Sequence, residues 1–382
     1  MAFNAIGGSA IRDLLKVTEQ PGVLSLAGGL PATEFIPTSA IAAATQLVMT
    51  DDAALQYTAS RGAATCLRAV AAFIGGSPDE VLITHGSQQA LSMLAHAFVD
   101  PGDVVIVDDP VYVGARQAFQ AARARIVALP ITATGTNTAH LAELLESGLR
   151  PRIVHTVSNF HNPSGVTADP DTRQALADLA QQYGFWIIDD DPYGCLRFSA
   201  DDGRRRIAPD PIPGDRAIRL GSASKILAPA LRVGWLQGPT GVIDVVERLK
   251  QSADLCGSTF SQLVVAQLLS DTQWLDEHIR TLCVEYGARA AELVKSLHRH
   301  LGDGVELTVP SGGMFCWARL PGIDSSALLD AALIEGVAFV PGAAFAVDAD
   351  FSDHLRLSFA TLPPDLLGDA IRRLAIALDR TH

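Results

Sequence analysis

The sequence predicts an α/β protein: a large domain with a mostly parallel central sheet flanked by helices, and a smaller α+β domain. Between about residues 40 and 270, apolar strand-like runs alternate with helical stretches, and several runs are almost continuously apolar, as in strands covered on both faces. After a long charged helix, short strands and two helices remain. We therefore predict an N-terminal segment (1–39) that joins the small domain, the large domain (40–280) and the small domain (281–382).

The chain begins with short, mixed elements. A polar residue before an apolar stretch predicts a capped helix over Ser9–Leu15. The run Leu24–Leu26 predicts a strand that enters a turn at Gly28–Gly29. Paired glycines let backbone approach a ligand closely, although an ordinary turn explains them equally well.

The large domain follows a repeated order of strand, loop and helix. The predicted strands are Val81–Thr84, Val104–Asp108, Ile153–Val157, Trp186–Asp190, Ala217–Leu220 and Arg232–Leu236. The predicted helices between them are Gln88–Phe98, Gly114–Ala122, Thr138–Glu146 and Pro170–Tyr183. Because ligands of open parallel sheets bind beyond the carboxyl ends of the strands, we expect the functional site at the loops that follow these strands.

A long, charged helix over Thr272–Leu301 leads out of the large domain. The predicted strands after it are Val305–Thr308, Met314–Arg319, Val337–Val340 and His354–Ser358. The predicted helices are Ser325–Glu335 and Pro364–Asp379. This order is typical of an α+β domain.

Composition limits the classes of function. The chain has 382 residues, of which 48% are hydrophobic, enough to bury a large core. A net charge of −13 argues against general binding to nucleic acid or anionic membranes. The five scattered cysteines form no CxxC pair and fit free thiols in a reducing compartment. With no signal peptide and no apolar run of membrane-spanning length, we expect a cytoplasmic protein without nucleic-acid or membrane partners.

The most informative stretch is Gly221–Arg232, in which Lys225 stands among small and hydroxyl residues after a predicted strand. The hydroxyls of Ser222 and Ser224, together with Arg232, can hold an anion. A lysine beside an anion pocket suggests a Schiff base with a phosphorylated aldehyde cofactor. Taken alone, a lysine is more commonly a solvated surface residue.

Further candidate residues follow other strands or lie within one. Ser87 and Gln88 open a helix whose N-terminus can bind an anion, although many such sequences are only helix caps. Tyr112 can stack on a flat ring or serve in the core. Asn162 can hydrogen-bond a phenolic oxygen. Arg356, within a strand of the small domain, can pair with a substrate carboxylate or form a structural salt bridge.

Asp190 belongs to a run of three aspartates at the end of a buried strand. A buried carboxylate requires a cation or a ligand. Successive residues of a strand point in alternate directions, so the three aspartates do not form a metal cage by themselves, and we predict no metal. No strand is followed by GxGxxG, which disfavours a nicotinamide-dependent dehydrogenase.

Together these motifs resemble the class I/II, fold-type I pyridoxal-phosphate aminotransferases over nearly the whole chain. The subgroup that resembles the chain most is that of the 2-aminoadipate aminotransferases. The motifs that carry this resemblance are Ile11–Leu15, Ala27–Pro31, Leu55–Tyr57, Gly86–Leu91 and Pro341–Gly342. The same core also occurs behind a DNA-binding helix-turn-helix in bacterial regulators, but the sequence favours the stand-alone enzyme.

The resemblance implies a role for each candidate. Lys225 would bind pyridoxal 5′-phosphate covalently and act as catalytic base, with Asp190 and Tyr193 as further catalytic residues. The residues implied in cofactor binding are Ser87, Gln88, Tyr112, Asn162, Asp190, Tyr193, Ser222, Ser224, Lys225, Arg232 and, from a second subunit, Tyr57. Those implied in substrate binding are Arg356, Asn162, Gly29 and Arg12. His161 and Ser164 stand where the family commonly has glutamine and threonine.

The implied function is transfer of an amino group between an L-α-amino acid and a 2-oxo acid by a ping-pong mechanism, in a homodimer with shared active sites. Arg12 occupies a position that reaches acidic side chains in the aminoadipate subgroup, which suggests glutamate and 2-oxoglutarate as one pair. The alternative is another pyridoxal-phosphate reaction on the same fold, such as decarboxylation, β- or γ-elimination or oxidation. A carboxylate-binding arginine favours transamination over decarboxylation.

Overall fold

The computed structural model describes residues 22–198 and 211–381. The predicted helix Ser9–Leu15 and the candidate substrate residue Arg12 lie outside the described residues. Within these ranges the strands form an eight-stranded sheet, a four-stranded sheet and a two-stranded pair.

The eight-stranded sheet organises the first two thirds of the chain. Its strands are β2 (Val81–Thr84), β3 (Val104–Asp109), β4 (Arg125–Thr132), β5 (Gly135–Thr136), β6 (Pro151–Thr156), β7 (Trp186–Asp190), β8 (Ala217–Ser222) and β9 (Gly234–Gln237). They lie in the order β2-β9-β8-β7-β6-β3-β4-β5. The pairs from β4 through β3, β6 and β7 to β8 are parallel, whereas β9 runs antiparallel to both β8 and β2. The predicted fold class is confirmed.

Helices cover both faces of this sheet and continue into the rest of the chain. In the described residues they are α1 (Thr38–Val48), α2 (Ala64–Ile74), α3 (Ser87–Phe98), α4 (Val113–Ala121), α5 (Thr138–Glu146), α6 (Pro170–Tyr183), α7 (Thr240–Ala253), α8 (Thr259–Ser270), α9 (Thr272–Leu301), α10 (Ser325–Ile334) and α11 (Pro364–Asp379). Among the described residues, no helix is both long and apolar enough to cross a membrane.

Local chemistry explains why α6 has these ends. The Asp169 side chain accepts a hydrogen bond from the Thr172 amide at 2.7 Å, and Pro170 occupies the first turn, where its missing N–H costs nothing. Gly184 ends the helix with φ of 81°, a left-handed conformation that favours glycine.

The four-stranded sheet is antiparallel throughout. Its strands, in the order β10-β11-β14-β13, are β10 (Glu306–Leu307), β11 (Phe315–Arg319), β14 (His354–Ser358) and β13 (Val340–Pro341). The remaining pair joins β1 (Leu24–Ser25) to β12 (Val337–Ala338) in parallel. The single strand predicted over Val337–Val340 is therefore wrong, because its two halves pair with different partners. The domain bounds at residues 40 and 280 stay a prediction.

The sheet direction determines where a site can form. The carboxyl ends of β2, β3, β6, β7 and β8 meet at one edge of the eight-stranded sheet, and the antiparallel β9 begins there. The loops at this edge carry the polar residues that the sequence pointed to.

Candidate active site

A cavity of about 160 Å³ lies at this edge of the sheet. The loops that follow five strands, together with the loop that precedes β9, form its walls. The lining residues are Gly86, Ser87, Gln88, Tyr112, Val157, Asn162, Asp190, Pro192, Tyr193, Ser222, Ser224, Lys225 and Arg232. Every predicted cofactor residue except Tyr57 is among them.

Lys225 lies in the turn that follows β8. Its Nζ atom donates a hydrogen bond to the carbonyl oxygen of Gly29 at 2.7 Å, which brings the N-terminal glycine turn to the cavity. Burial, with the positive charges of Arg356 and Arg232, lowers the pKa of Lys225 to about 8. About a tenth of this amine is therefore neutral at pH 7, far more than for an ordinary lysine, and the neutral form is nucleophilic and basic.

One end of the cavity is built for an anion. Helix α3 begins at Ser87, directly after Gly86, so its first backbone N–H groups point toward the cavity. The hydroxyls of Ser222 and Ser224 are hydrogen-bonded at 2.9 Å. A Cβ atom on Gly86 would lie 3.0 Å from Nη2 of Arg232, so a larger residue here would crowd the guanidinium. A helix N-terminus, two hydroxyls and an arginine suit a phosphate group.

Asp190 also lines the cavity, at the end of β7. Its Oδ1 atom is buried without a hydrogen-bond partner among the described residues, and its Oδ2 atom lies 3.7 Å from Nε2 of His155. Its neighbours Asp189 and Asp191 are buried outside the cavity lining, and Asp191 pairs with Arg219 at 3.0 Å. The open carboxylate oxygen suits a cationic or protonated ring nitrogen.

Tyr112 and Tyr193 supply aromatic surface and hydroxyl donors beside Asp190. The Tyr112 hydroxyl donates to Oε1 of Gln88 at 3.1 Å. Burial chiefly raises the pKa of Tyr193, against a hydrogen bond with Asn162 that lowers it. Burial likewise raises the pKa of Tyr112. Both phenols therefore stay protonated at neutral pH and can donate hydrogen bonds.

Arg356, on β14 of the four-stranded sheet, is not among the cavity-lining residues but is hydrogen-bonded to one of them, Asn162. Its Nη1 atom donates to Oδ1 of Asn162 at 2.9 Å, and its Nη2 atom donates to the carbonyl oxygen of Ala27 at 2.6 Å. The guanidinium carbon lies 4.3 Å from the ring centre of Phe315 and 4.9 Å from that of Phe345. Burial lowers the pKa of Arg356 to about 10, so the group remains charged, and its Nε–H has no partner among the described residues.

The structure does not bring all predicted residues to the cavity. Tyr57 lies outside the lining, with 78% of its surface exposed, so its predicted role depends on a second subunit. His161 is buried beside the cavity rather than in its lining, and its Nδ1 atom lies 2.9 Å from the hydroxyl oxygen of Ser164. The two positions that differ from the family pattern therefore contact each other.

Sequence reasoning missed the aromatic partners of Arg356. Phe315 and Phe345 come from β11 and from the turn after β13, and neither stands in a motif that marks a binding residue. It also missed His155, which faces Asp190 from β6. Among the described residues, no group of three histidine, cysteine, aspartate or glutamate side chains is placed to hold a metal ion.

Residues 22–374 match the family described as aminotransferase class I and II. The chain belongs to this family. It is 40% identical to aromatic-amino-acid aminotransferase 1 of Thermococcus litoralis, over 96% of this chain and 90% of that protein. It is 36% identical to 2-aminoadipate transaminase of Thermus thermophilus, over 98% and 94%. These similarities confirm the predicted resemblance to the aminoadipate-type aminotransferases.

The crystal structure of α-aminoadipate aminotransferase from Thermus thermophilus, complexed with N-(5′-phosphopyridoxyl)-L-leucine, superimposes with a TM-score of 0.91. It is 34% identical and the match covers 99% of this chain and 96% of that one. The present protein is therefore, like these relatives, a pyridoxal-phosphate-dependent aminotransferase, as predicted. The anion end of the cavity, the amine of Lys225 and the open oxygen of Asp190 fit the phosphate, aldehyde and ring nitrogen of that cofactor.

Proposed function

We propose that this aminotransferase moves an amino group between an L-α-amino acid and a 2-oxo acid, with glutamate and 2-oxoglutarate as one pair, by a ping-pong mechanism. The observation that carries the proposal is the arrangement of three groups around one cavity. These are a lysine with a lowered pKa, a buried carboxylate with one unpartnered oxygen, and a charged arginine that is bonded to Asn162 of the cavity lining and whose Nε–H has no partner, each among the described residues.

When bound, pyridoxal phosphate supplies an aldehyde carbon that accepts the amino group and a ring that withdraws electrons from the bonds around it. Ser87, Ser222, Ser224 and Arg232 would hold its phosphate, as would the N-terminus of α3. The carboxylate of Asp190 would favour the protonated form of the ring nitrogen, because an opposite charge stabilises a cation. The phenol of Tyr193 and the amide of Asn162 would orient the ring oxygen by hydrogen bonds.

Lys225 would move the proton on which the reaction depends. When Lys225 is not attached to the cofactor, its Nζ atom would take the proton from the substrate Cα as general base and would give a proton back as general acid. A pKa of about 8 suits both directions of transfer near neutral pH, because the amine can accept and donate with little driving force lost.

Arg356 would hold the α-carboxylate of each substrate in turn. A guanidinium carries five N–H groups, and the hydrogen bonds to Asn162 and Ala27 use two of them, so donors remain for a carboxylate. An amino acid and a 2-oxo acid both carry a carboxylate next to the reacting carbon. One site can therefore serve both in alternation, which is the basis of the ping-pong proposal.

We further propose a cytoplasmic homodimer. Tyr57 is 78% exposed, and Leu55 beside it is 68% exposed, a degree of exposure for large apolar side chains that suits an interface between subunits. In that dimer Tyr57 would serve the phosphate of the neighbouring site. Light scattering coupled to gel filtration should give twice the mass of one chain, and a monomer at micromolar concentration would contradict this part.

Steady-state kinetics test the reaction type. Initial rates with glutamate as donor and a series of 2-oxo acids, among them 2-oxoadipate and 4-hydroxyphenylpyruvate, should give parallel double-reciprocal lines. Carbon dioxide or ammonia release without an amino acceptor would instead favour decarboxylation or elimination.

Arg12 tests the donor pair. Replacing it with alanine should lower kcat/KM for glutamate by about tenfold, the typical effect of one lost charged hydrogen bond, and should leave uncharged donors unchanged. Equal loss for all donors, or no loss, would contradict the assignment of Arg12 to the acidic side chain.

A further inference from the structure

A turn from the four-stranded sheet is held against the eight-stranded sheet beside the cavity. The turn is the segment 342–349, between β13 and β14, and it carries Phe345. Its partners lie at the end of β3 and in the first turn of α4, on both sides of Tyr112. We call these contacts the clasp and define it by Asp109, Arg116 and residues 344–349.

Asp109 provides the first half of the clasp. Its Oδ1 atom accepts a hydrogen bond from the amide of Val347 at 3.0 Å. Its Oδ2 atom accepts two more, from the amides of Asp348 at 3.0 Å and Ala349 at 2.8 Å. The side chain is only 4% exposed. A buried carboxylate that accepts three backbone N–H groups fixes the end of the turn, because such charge-assisted bonds are about twice as strong as neutral ones.

Arg116 provides the second half. Its Nη1 atom donates to the carbonyl oxygen of Ala346 at 2.6 Å, and its Nη2 atom donates to that of Ala344 at 3.0 Å. Between these two carbonyls, the carbonyl of Phe345 accepts a bond from the amide of Val111 at 2.8 Å. The backbone on each side of Phe345 is therefore bonded to α4, and that of Phe345 itself to the loop before α4, so the ring has little freedom to shift.

The clasp contains Phe345, which contacts Arg356, the proposed carboxylate-binding residue. Phe345 is fully buried, and its ring packs against the Arg356 guanidinium, as does the ring of Phe315. Trp317 packs edge-on against Phe345 with the ring centres 5.7 Å apart. A movement of the turn would therefore move one of the two rings that fix the plane of the guanidinium.

We propose that Asp109 and Arg116 are positioning residues for substrate recognition, which hold Arg356 in the orientation that receives the substrate α-carboxylate by clasping the turn that carries Phe345. The proposal rests on the proposed role of Arg356. Asp109 and Arg116 lie outside the cavity lining, and the proposal gives them a role in substrate affinity. It gives them no role in cofactor binding or proton transfer.

The test compares Arg116→Gln, Asp109→Asn and Arg356→Gln, each as the holoenzyme, by calorimetric binding of glutarate and 3-phenylpropionate. These acids keep the carboxylate but have no amino group to react. For Arg116→Gln we expect the dissociation constant of both acids to rise about tenfold, as for a loss of charge-assisted bonds. The maximal rate of the half-reaction with glutamate should change less than twofold, and affinity for pyridoxal phosphate should not change.

Arg373 provides a matched control. Like Arg116 it is partly buried on a helix and donates to backbone carbonyls, here those of Gly22 and Gly336, but it lies away from the cavity. Arg373→Gln should lower the melting temperature without changing the affinity for either acid. If Asp109→Asn does not fold, the more exposed Arg116 still decides the question.

A double variant separates positioning through Phe345 from other causes. If Arg116 acts through that ring, Arg116→Gln combined with Phe345→Leu should weaken glutarate binding no more than the stronger single variant. Two results would overturn this inference while leaving the proposed role of Arg356 intact. One is a double variant whose loss of glutarate affinity is the product of the two single losses. The other is a lower melting temperature with unchanged acid affinity in Arg116→Gln. Unchanged acid affinity in Arg356→Gln, or no binding of either acid to the wild type, would overturn the proposed role of Arg356 and this inference with it.

Discussion

The three consecutive aspartates at the end of β7 have the same side chain but differ in whether the fold gives that side chain partners. Asp189 accepts a hydrogen bond from the hydroxyl of Ser158, and Asp191 pairs with Arg219 and accepts from Asn159 at 3.0 Å. Asp190, between them, lines the cavity and keeps one buried oxygen without a partner among the described residues.

Lys250, which is fully buried, and Lys225, which is half-buried, differ in the same way. Lys250 is fully buried on α7 and pairs with Asp254 at 2.5 Å, whereas Lys225 donates only to the backbone carbonyl of Gly29 and has a lowered pKa. Where the fold satisfies a buried charge, that charge serves the structure. Where the fold buries a charge and leaves it available, it serves the ligand, and the resulting loss of stability accompanies the function.

The lysine pair gives the largest expected effect. Lys225→Ala should lower transamination by at least about 10³-fold, because it removes both the covalent attachment and the proton carrier, and should change the stability of the apo-protein little. Lys250→Met should do the reverse, with a loss of about 2 kcal/mol of unfolding free energy, because Asp254 loses its charged partner and keeps the hydrogen bond from Gln89. Single-turnover rates and urea unfolding of both variants check this. Substantial turnover by the Lys225 variant would remove that residue from its role.

The aspartates give the next effect in size. Asp190→Asn should lower the half-reaction rate by about 10²- to 10³-fold with little change in unfolding free energy, because the amide no longer favours a protonated ring nitrogen. Asp191→Asn should cost about 3 kcal/mol of stability, since it removes the charged partner of Arg219, and should leave the rate per folded molecule nearly unchanged. If each of the two variants lost both rate and stability, the division of roles between Asp190 and Asp191 would be contradicted.

A smaller effect is expected from pH. Because the pKa of Lys225 falls from an ordinary 10.5 to about 8, its neutral form becomes dominant above pH 8 instead of above 10.5. The rate at which the apo-protein captures pyridoxal phosphate should therefore rise with pH and level off above about 8. Stopped-flow absorbance follows this capture, and a rate that continues to rise toward pH 10 would show that the burial does not shift this amine.

Periodicity and strand order predicted much of the fold. β2 was predicted over Val81–Thr84 and α6 over Pro170–Tyr183, as the structure has them, because continuous apolar runs and clear caps mark both. β4 (Arg125–Thr132) was missed, because only one of its eight residues is buried and its pattern is mixed. Arg232 was assigned to a strand, but it adopts φ of 53° in the turn before β9.

The site residues likewise fall into those that the sequence predicted and those that it missed. The rule that ligands bind beyond strand ends found Asn162, Asp190 and Lys225, since each ends an apolar strand or lies in the loop after one. Phe315, Phe345 and the clasp depend on how one sheet packs against the other, and that packing leaves no local sequence signal.

The most direct test of the account is the absorption spectrum of the purified holoenzyme before and after addition of glutamate, followed by borohydride reduction and peptide mass mapping. We predict a yellow absorption band that bleaches with glutamate and a reduced cofactor adduct on Lys225. A protein that stays colourless after incubation with pyridoxal phosphate, or an adduct on another lysine, would contradict the central claim. A band that persists with glutamate would contradict the proposed donor while leaving Lys225 as the site of attachment.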